Sequence, residues 1–292
     1  MSNDILISVV MPCYNSMGYL ENTLKHVYAQ TILPYEIIIV DDGSSDGTQA
    51  FLQREKEKFP AGFIKIFQQK NCGPGAARNV GIRNASGTWI AFLDSDDVWR
   101  EQRIQRAIET IEQNPDAIMV SNDICEKYED GSERELKLHE RLSQDESVFV
   151  QLYKGNFLST SSVCAKKEIL QRVGAFNEEL RSAQDYDLWL RLSREGSFII
   201  IPEVFEEYAI HSGSISQNNK LRYECLLKIY KKYAHLLKRE CSGRRAALLA
   251  ERQIAIIHYS LFQNMLHRKK YWEAFKACLK WPVEAVKVLK DI

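Results

Sequence analysis

"WIAFLDSDDVWR", Trp89 to Arg100, opens with five apolar residues and then sets three carboxylates, Asp94, Asp96 and Asp97, within the next four positions. The apolar half reads as a buried strand. The acidic half is costly, because like charges this close raise one another's pKa unless something positive is shared between them. Carboxylates at i and i+2 on an extended terminus can converge on one hard divalent cation, Mg²⁺ or Mn²⁺, that also binds substrate phosphates. Taken alone, such a triplet is more often a solvated acidic turn.

Working outward, the first hundred residues alternate short apolar runs with helical patterns. "ILISVVMP" (5–12), "YEIIIVDD" (35–42), "FIKIFQQ" (63–69) and "WIAFL" (89–93) read as strands, with "GYLENTLKHVYAQ", "TQAFLQREKEK" and "GAARNVGIRNA" as the helices between them. This order implies a mostly parallel, Rossmann-like sheet flanked by helices. Ligands of such sheets bind outside the carboxyl ends of the strands. The chemistry-bearing stretches fall there: "PCYN" after the first strand, "DDGSSDG" after the second, "NCGPGAAR" after the third, "DSDD" after the fourth.

Further along, a helix over "EQRIQRAIETIEQN" leads to a strand "AIMVSN" (117–122), a polar hairpin or excursion over 126–147, a short strand in "STSSVCA" and a helix in "KKEILQRVG". "QDYDLWLRLSREG" is an amphipathic helix opened by acids. "SFIIIPEVFEEYAIH" reads as strand, turn, strand, because Pro202 interrupts it. Beyond Ser216 the pattern is helical. We divide the chain into 1–218 and a C-terminal helical region, 219–292.

Apolar residues are 45% and charged residues 27% of the 292, the proportions of a globular fold rather than a disordered one. No apolar run approaches the roughly eighteen residues of a membrane span, and "MSNDILISVV" lacks a basic signal-peptide start, so a cytoplasmic location is expected. Seven cysteines with no CxxC fit reduced thiols, not a disulfide framework or a zinc site. Net charge is zero but unevenly spread: residues 220–292 hold 17 Lys and Arg against 6 Asp and Glu. That basic region fits a solvated helical face, a dimer contact or an anionic surface.

The individual stretches carry modest signals. Asp41 and Asp42 end a strand where acids can bond the base and ribose of a nucleotide. A βα turn with an N-cap accounts for the serines and glycines around them but not for the paired acids. "CGPGAARNVGI" is neither GxGxxG nor a Walker loop, yet its small residues allow close backbone approach and Arg78 lies in the first helical turn, where an anion would be met. The first turn also lacks dinucleotide glycines, which disfavours a dehydrogenase.

Taken in order, "VVMPCYN", "IIIVDDGSSDGT", "NCGPGAARNVGI", "WIAFLDSDDVW" and "FNEELRSAQDYDLWLRL" resemble the motifs of the family 2 glycosyltransferases of the GT-A fold, over roughly Ile5 to Ser216. The resemblance implies an inverting, metal-dependent transfer of a sugar from a nucleotide-diphosphate sugar, most commonly a uridine diphosphate sugar. It implies that Pro12, Tyr14 and Asn15 border the nucleotide, and that Asp41 and Asp42 meet base and ribose. Arg78, Asp94 and Ser95 would lie at the donor, Asp96 would ligate Mn²⁺ or Mg²⁺, and Asp97 is an alternative ligand. Asp185 falls where the family carries its catalytic base, although the acid usual before it is Gln184 here. His211, in "YAIHSGSIS", matches a histidine that in some relatives reaches the metal or the diphosphate.

The implied product is a polysaccharide, lipopolysaccharide or other glycoconjugate, its acceptor a glycan or a lipid-linked glycan. No nucleic-acid partner is expected. Residues 219–292 are candidates for peripheral contact with the inner face of the membrane or for a homodimer. Two other functions compete. A sugar nucleotidyltransferase would need a basic glycine-rich loop near the first strand, and "VVMPCYNSMGY" has neither lysine nor arginine. A non-catalytic nucleotide-sugar binding module would not need Asp185. Asp187, the next candidate base, is expected to face solvent or to cap its helix.

Overall fold

The apolar runs form strands because they are dense in β-branched residues and can be covered on both faces. β1 (Ile7–Cys13) and β2 (Glu36–Asp41) are buried at every position, and β4 (Trp89–Phe92) likewise. β3 (Ile64–Gln68) is the edge, and its later residues are part-exposed. In the computed structural model, which describes residues 5–211, 219–267 and positions 269, 272, 282, 285 and 286, these four strands pair in parallel in the order β3-β2-β1-β4.

The helices between them bury one stripe each. α1 (Leu20–Tyr28) turns Leu20, Thr23, Leu24 and Val27 inward, and α2 (Thr48–Glu57) turns Thr48, Phe51, Leu52 and Glu55. α3 (Pro74–Asn84) lies close on β1: a Cβ at Gly81 would come within 2.3 Å of Val10 Cγ1, so only glycine fits there. α4 (Arg103–Gln113) buries Ile104, Ala107 and Ile111, the spacing of one helical face.

Past β4 the sheet becomes mixed. β8 (Cys164–Lys166) runs antiparallel to β4 and to β6 (Ala117–Tyr128), and β6 pairs in parallel with β9 (Ser197–Ile210). β7 (Glu133–Leu136) forms the expected hairpin with β6 through a turn at Gly131. Two features differ from the sequence reading. Val98–Trp99 forms a two-residue strand, β5, antiparallel to β9. And β9 is one strand, not two: Ile201 pairs with Asn122 and Val204 with Asp123, so Pro202 and Glu203 sit in a bulge where proline's missing N–H breaks no ladder bond.

The chain divides into two compact units. The first, Met1–Ser143, Phe157–Glu179 and Gln184–His211, holds the whole sheet together with α6 (Lys167–Arg172) and α7 (Gln184–Leu192). The second comprises Gln144–Asn156, Leu180–Ala183 and Ser212–Ile292. Within the second, α5 (Val148–Tyr153), α8 (Asn219–Tyr233), α9 (Leu237–Glu240) and α10 (Gly243–His267) pack together, with the Tyr153 hydroxyl donating to the Tyr230 carbonyl at 3.0 Å. Most of the basic aromatic stretch after His267, including Phe275, Leu279, Trp281 and Leu289, lies outside the described residues.

Candidate active site

The loops after β1 and β2 are laced to each other. Asn15, in the left-handed region at φ 50°, accepts from the Ser45 N–H at 2.8 Å, and its own N–H donates to Ser44 Oγ at 2.9 Å. The Asp46 carboxylate takes the Met17 N–H at 3.0 Å. This lacing leaves the Tyr14 ring half-exposed on a pinned backbone, while Pro12 is buried within β1.

The two acids that end β2 are buried and occupied. Asp41 accepts from the Ser44 N–H at 3.0 Å and from Gln68 Nε2 at 3.3 Å. Asp42 accepts from Gln69 Nε2 and from the N–H groups of Cys72 and Gly73, at 2.7, 2.8 and 2.8 Å. Its carboxylate therefore shapes the loop that opens α3, where Gly73 holds φ 90°. Nothing local in "DDGSSDG" signals that bond to a loop 30 residues on.

Arg78 is buried in the first turns of α3. Its guanidinium stacks on the Phe176 ring at 5.3 Å and meets Asp94 Oδ1 at 2.5 Å. The partner of Arg78 is thus the first carboxylate of "DSDD". Ser95 is pinned beneath: its hydroxyl shares a hydrogen bond with Ser16 Oγ at 2.8 Å, and its carbonyl accepts from Thr23 Oγ1 at 2.9 Å.

The remaining two carboxylates of the stretch point different ways. Asp96 Oδ2 meets His211 Nε2 at 2.9 Å, and the imidazole stacks on the Tyr19 ring at a centroid distance of 5.0 Å and an interplanar angle of 20°. Burial, and then the neighbouring Asp94, push the Asp96 carboxyl above the usual range. Asp97 turns inward, buried against Ser161 and β9. Burial, then Glu206, push it well up, and Glu206 itself, 0% exposed, is pushed to about 8, chiefly by burial.

Asp185 is half-buried in the first turn of α7. Gln184 before it is buried against α3, where a Cβ on Gly75 would approach its side chain to 2.9 Å. Asp187 does not face solvent: it is 1% exposed and accepts from Arg191 Nη2 at 2.8 Å and Nε at 3.0 Å, while Nη1 donates to the Val173 carbonyl and Nη2 also to that of Ala175.

A cation fits this donor set. One carboxylate oxygen and one imidazole nitrogen already meet at hydrogen-bond distance, and a hard ion sharing them would complete its shell with phosphate oxygens and water. Among the described residues no group of three or more His, Cys, Asp and Glu forms a full protein cage. The fit is of a cation held jointly by protein and phosphates.

A groove of about 780 Å³ lies at the β9 bulge, lined in part by Arg100, Gln102, Asp123, Lys137 and His139. Buried Asp123 holds His139 twice, through the backbone N–H at 3.0 Å and Nδ1 at 2.6 Å. The sequence analysis does not single out this pair. An acid at the end of "AIMVSND", as after the earlier strands, was the available signal.

Residues 8–174 match the model of glycosyl transferase family 2. An uncharacterized glycosyltransferase of Rickettsia conorii is 32% identical over 215 residues, 73% of this chain but only 34% of the relative. The putative teichuronic acid biosynthesis glycosyltransferase TuaG of Bacillus subtilis is 31% identical over 216 residues, 73% of this chain and 82% of the relative. The chain thus spans about a third of the first relative's length and most of the second's. Among solved structures, S. aureus TarS 1-349 in complex with UDP-GlcNAc superposes with TM-score 0.76 at 20% identity, covering 97% of this chain and 81% of that one. The mannosyltransferase PcManGT from Pyrobaculum calidifontis, in complex with GDP-Man and Mn²⁺, gives 0.60 at 18% identity, covering 97% and 86%. The shared fold is that of the GT-A glycosyltransferases.

Proposed function

The chain belongs to glycosyl transferase family 2, and from that premise we propose that it transfers a sugar, with inversion, from a uridine diphosphate sugar to a hydroxyl of a glycan or lipid-linked acceptor. The likeness to TuaG supports a place in polysaccharide or related glycoconjugate synthesis. The nucleotide-sugar complexes of TarS and PcManGT support the donor class. The observation that carries the reading is the meeting of Asp96 and His211 at 2.9 Å beside the Asp94–Arg78 pair, at the carboxyl ends of β4 and β9.

A hydroxyl is a poor nucleophile at neutral pH, and in this reading Asp185, in the first turn of α7, accepts its proton as it attacks the anomeric carbon. Asp96 and His211 would hold a divalent cation, Mn²⁺ or Mg²⁺, which when bound supplies Lewis-acid stabilisation of the departing diphosphate. An imidazole in the donor set tilts the choice toward Mn²⁺. Arg78 compensates Asp94, so that three acids can share one loop without mutual repulsion pulling it open. Tyr14 and Asn15, with Pro12 behind them, border the nucleotide; Ser95 keeps the "DSDD" backbone in place beneath it, and Asp41 and Asp42 line the base and ribose side through the loops that they hold.

We place the reaction on the cytoplasmic side, with 219–292 as the segment that meets an anionic membrane or a second copy. A thermal-shift panel of nucleotide sugars tests the donor. The true one, at ~100 times its Kd, stabilises the chain by about 2.7 kcal/mol, and the others by little. A panel with no shift, with or without Mn²⁺, would remove the donor assignment.

A further inference from the structure

Asp96 and His211 stand 115 positions apart in the chain, on different segments, and a 2.9 Å meeting needs both backbones held. A relay of hydrogen bonds through two side chains, Ser161 and Asp97, links the two segments. Ser161 Oγ accepts the Asp94 N–H at 3.0 Å and donates to Asp97 Oδ2 at 2.5 Å, while Asp97 Oδ1 accepts the Ala209 N–H at 3.0 Å. The two ends of this relay lie two residues before Asp96 and two before His211. Ser161 is 0% and Asp97 1% exposed, and Trp99 fixes the base of the relay by donating Nε1–H to the Ser161 carbonyl at 2.8 Å.

We infer that Asp97 and Ser161 are positioning residues, a clamp that sets the gap between Asp96 and His211 and thereby the affinity for the cation. The inference rests on the reading of Asp96 and His211 as the cation's protein ligands. It assigns Asp97 away from direct ligation: the side chain is 1% exposed and turned into the fold, where its two oxygens accept from Ser161 Oγ and the Ala209 N–H. Outer partners of this kind typically govern metal affinity by about 10- to 100-fold. Releasing either end frees one ligand's backbone by the same mechanism, so the two deletions should not compound.

The test is Mn²⁺ binding to the full chain in the presence of UDP, read by electron paramagnetic resonance of free Mn²⁺, in wild type, Ser161→Ala, Asp97→Ala and the double variant. Thermal unfolding confirms that each is folded. The clamp requires Ser161→Ala, which removes no possible metal ligand, to raise the Mn²⁺ Kd about 10-fold or more. It also requires the double variant to be no weaker than the weaker single. If Asp97→Ala does not fold, Asp97→Asn keeps its volume and takes its place in the cycle. Binding by Ser161→Ala within two-fold of wild type, or losses that multiply in the double variant, overturns the clamp while leaving the ligand assignment standing. A wild-type chain that binds no Mn²⁺ with UDP overturns both.

Discussion

His211 Nε2 and Asp96 Oδ2 lie 2.9 Å apart, and the Tyr19 ring stacked on the imidazole holds that meeting from one side. Burial and Asp94 raise the Asp96 carboxyl above the ordinary range, so a proton competes there with a cation. The sign follows: the cation needs the ionised carboxylate, so affinity falls as pH drops through the raised pKa and rises above it. Mn²⁺ titrations at about pH 5 and about pH 7.5 should show markedly tighter binding at the higher value. Chelator should abolish turnover, and added Mn²⁺ or Mg²⁺ should restore it. Full turnover in chelator would sink the metal assignment.

Asp185→Asn should leave donor binding intact and lower kcat by roughly 10²-fold or more, since an amide cannot take the hydroxyl proton. Asp187→Asn separates the two acids of the helix. It leaves Arg191 without its buried partner and should cost about 2–4 kcal/mol of stability, with catalysis per folded molecule little changed. A kcat loss confined to Asp187 would move the base there.

Arg78→Gln should lower stability by about 1–3 kcal/mol and weaken donor binding, because Asp94 is left facing Asp96 uncompensated. Adding Asp94→Asn should recover part of that stability by removing the stranded carboxylate. Chemical denaturation of the two singles and the double measures the coupling. Strictly additive losses would mean that the 2.5 Å pair contributes nothing beyond its separate members.

Gly81→Ala tests the packing of α3 on β1. The added methyl would stand 2.3 Å from Val10 Cγ1, and the Val10 side chain is fully buried between helix and sheet, so about 1–3 kcal/mol should be lost. A neutral substitution would show that the helix can slide.

What could be read from the sequence is what local chemistry encodes. Runs such as "EIIIVD" and "ISVVMPC" announce themselves as buried strands, and the parallel order places the residues after them at one end of the sheet. Bonds that close over long separations leave no local trace. Asp42 holding Cys72 and Gly73, Arg78 turning to Asp94, and Asp97 turning inward to Ser161 each follow from where distant loops lie. β9 misled for a different reason. Pro202 is a strand breaker by itself, and only the partner strand's register reveals that a bulge absorbs it. The Asp123–His139 pair has no motif around its acid, which lies within β6, and it closes over 16 residues.

The basic C-terminal region gives the last prediction. Along α10, Leu248, Ile256 and Tyr259 fall on one helical face and are 59%, 45% and 64% exposed, and Trp272 beyond it is 67% exposed. Exposed aliphatic and aromatic side chains among 17 Lys and Arg suit the headgroup layer of an anionic bilayer, where a lipid-linked acceptor would be met. No described helix is long and apolar enough to cross a membrane. The chain should then co-sediment with phosphatidylserine-containing vesicles and not with zwitterionic ones. Each surface Lys or Arg contributes about 1 kcal/mol, so binding should fall steeply as salt rises. Leu248→Glu with Ile256→Glu should weaken it further without altering turnover on a soluble acceptor. Equal partitioning to both vesicle types, or none at low salt, would instead make this face a packing or dimerisation element, which sedimentation velocity would register as a concentration-dependent mass.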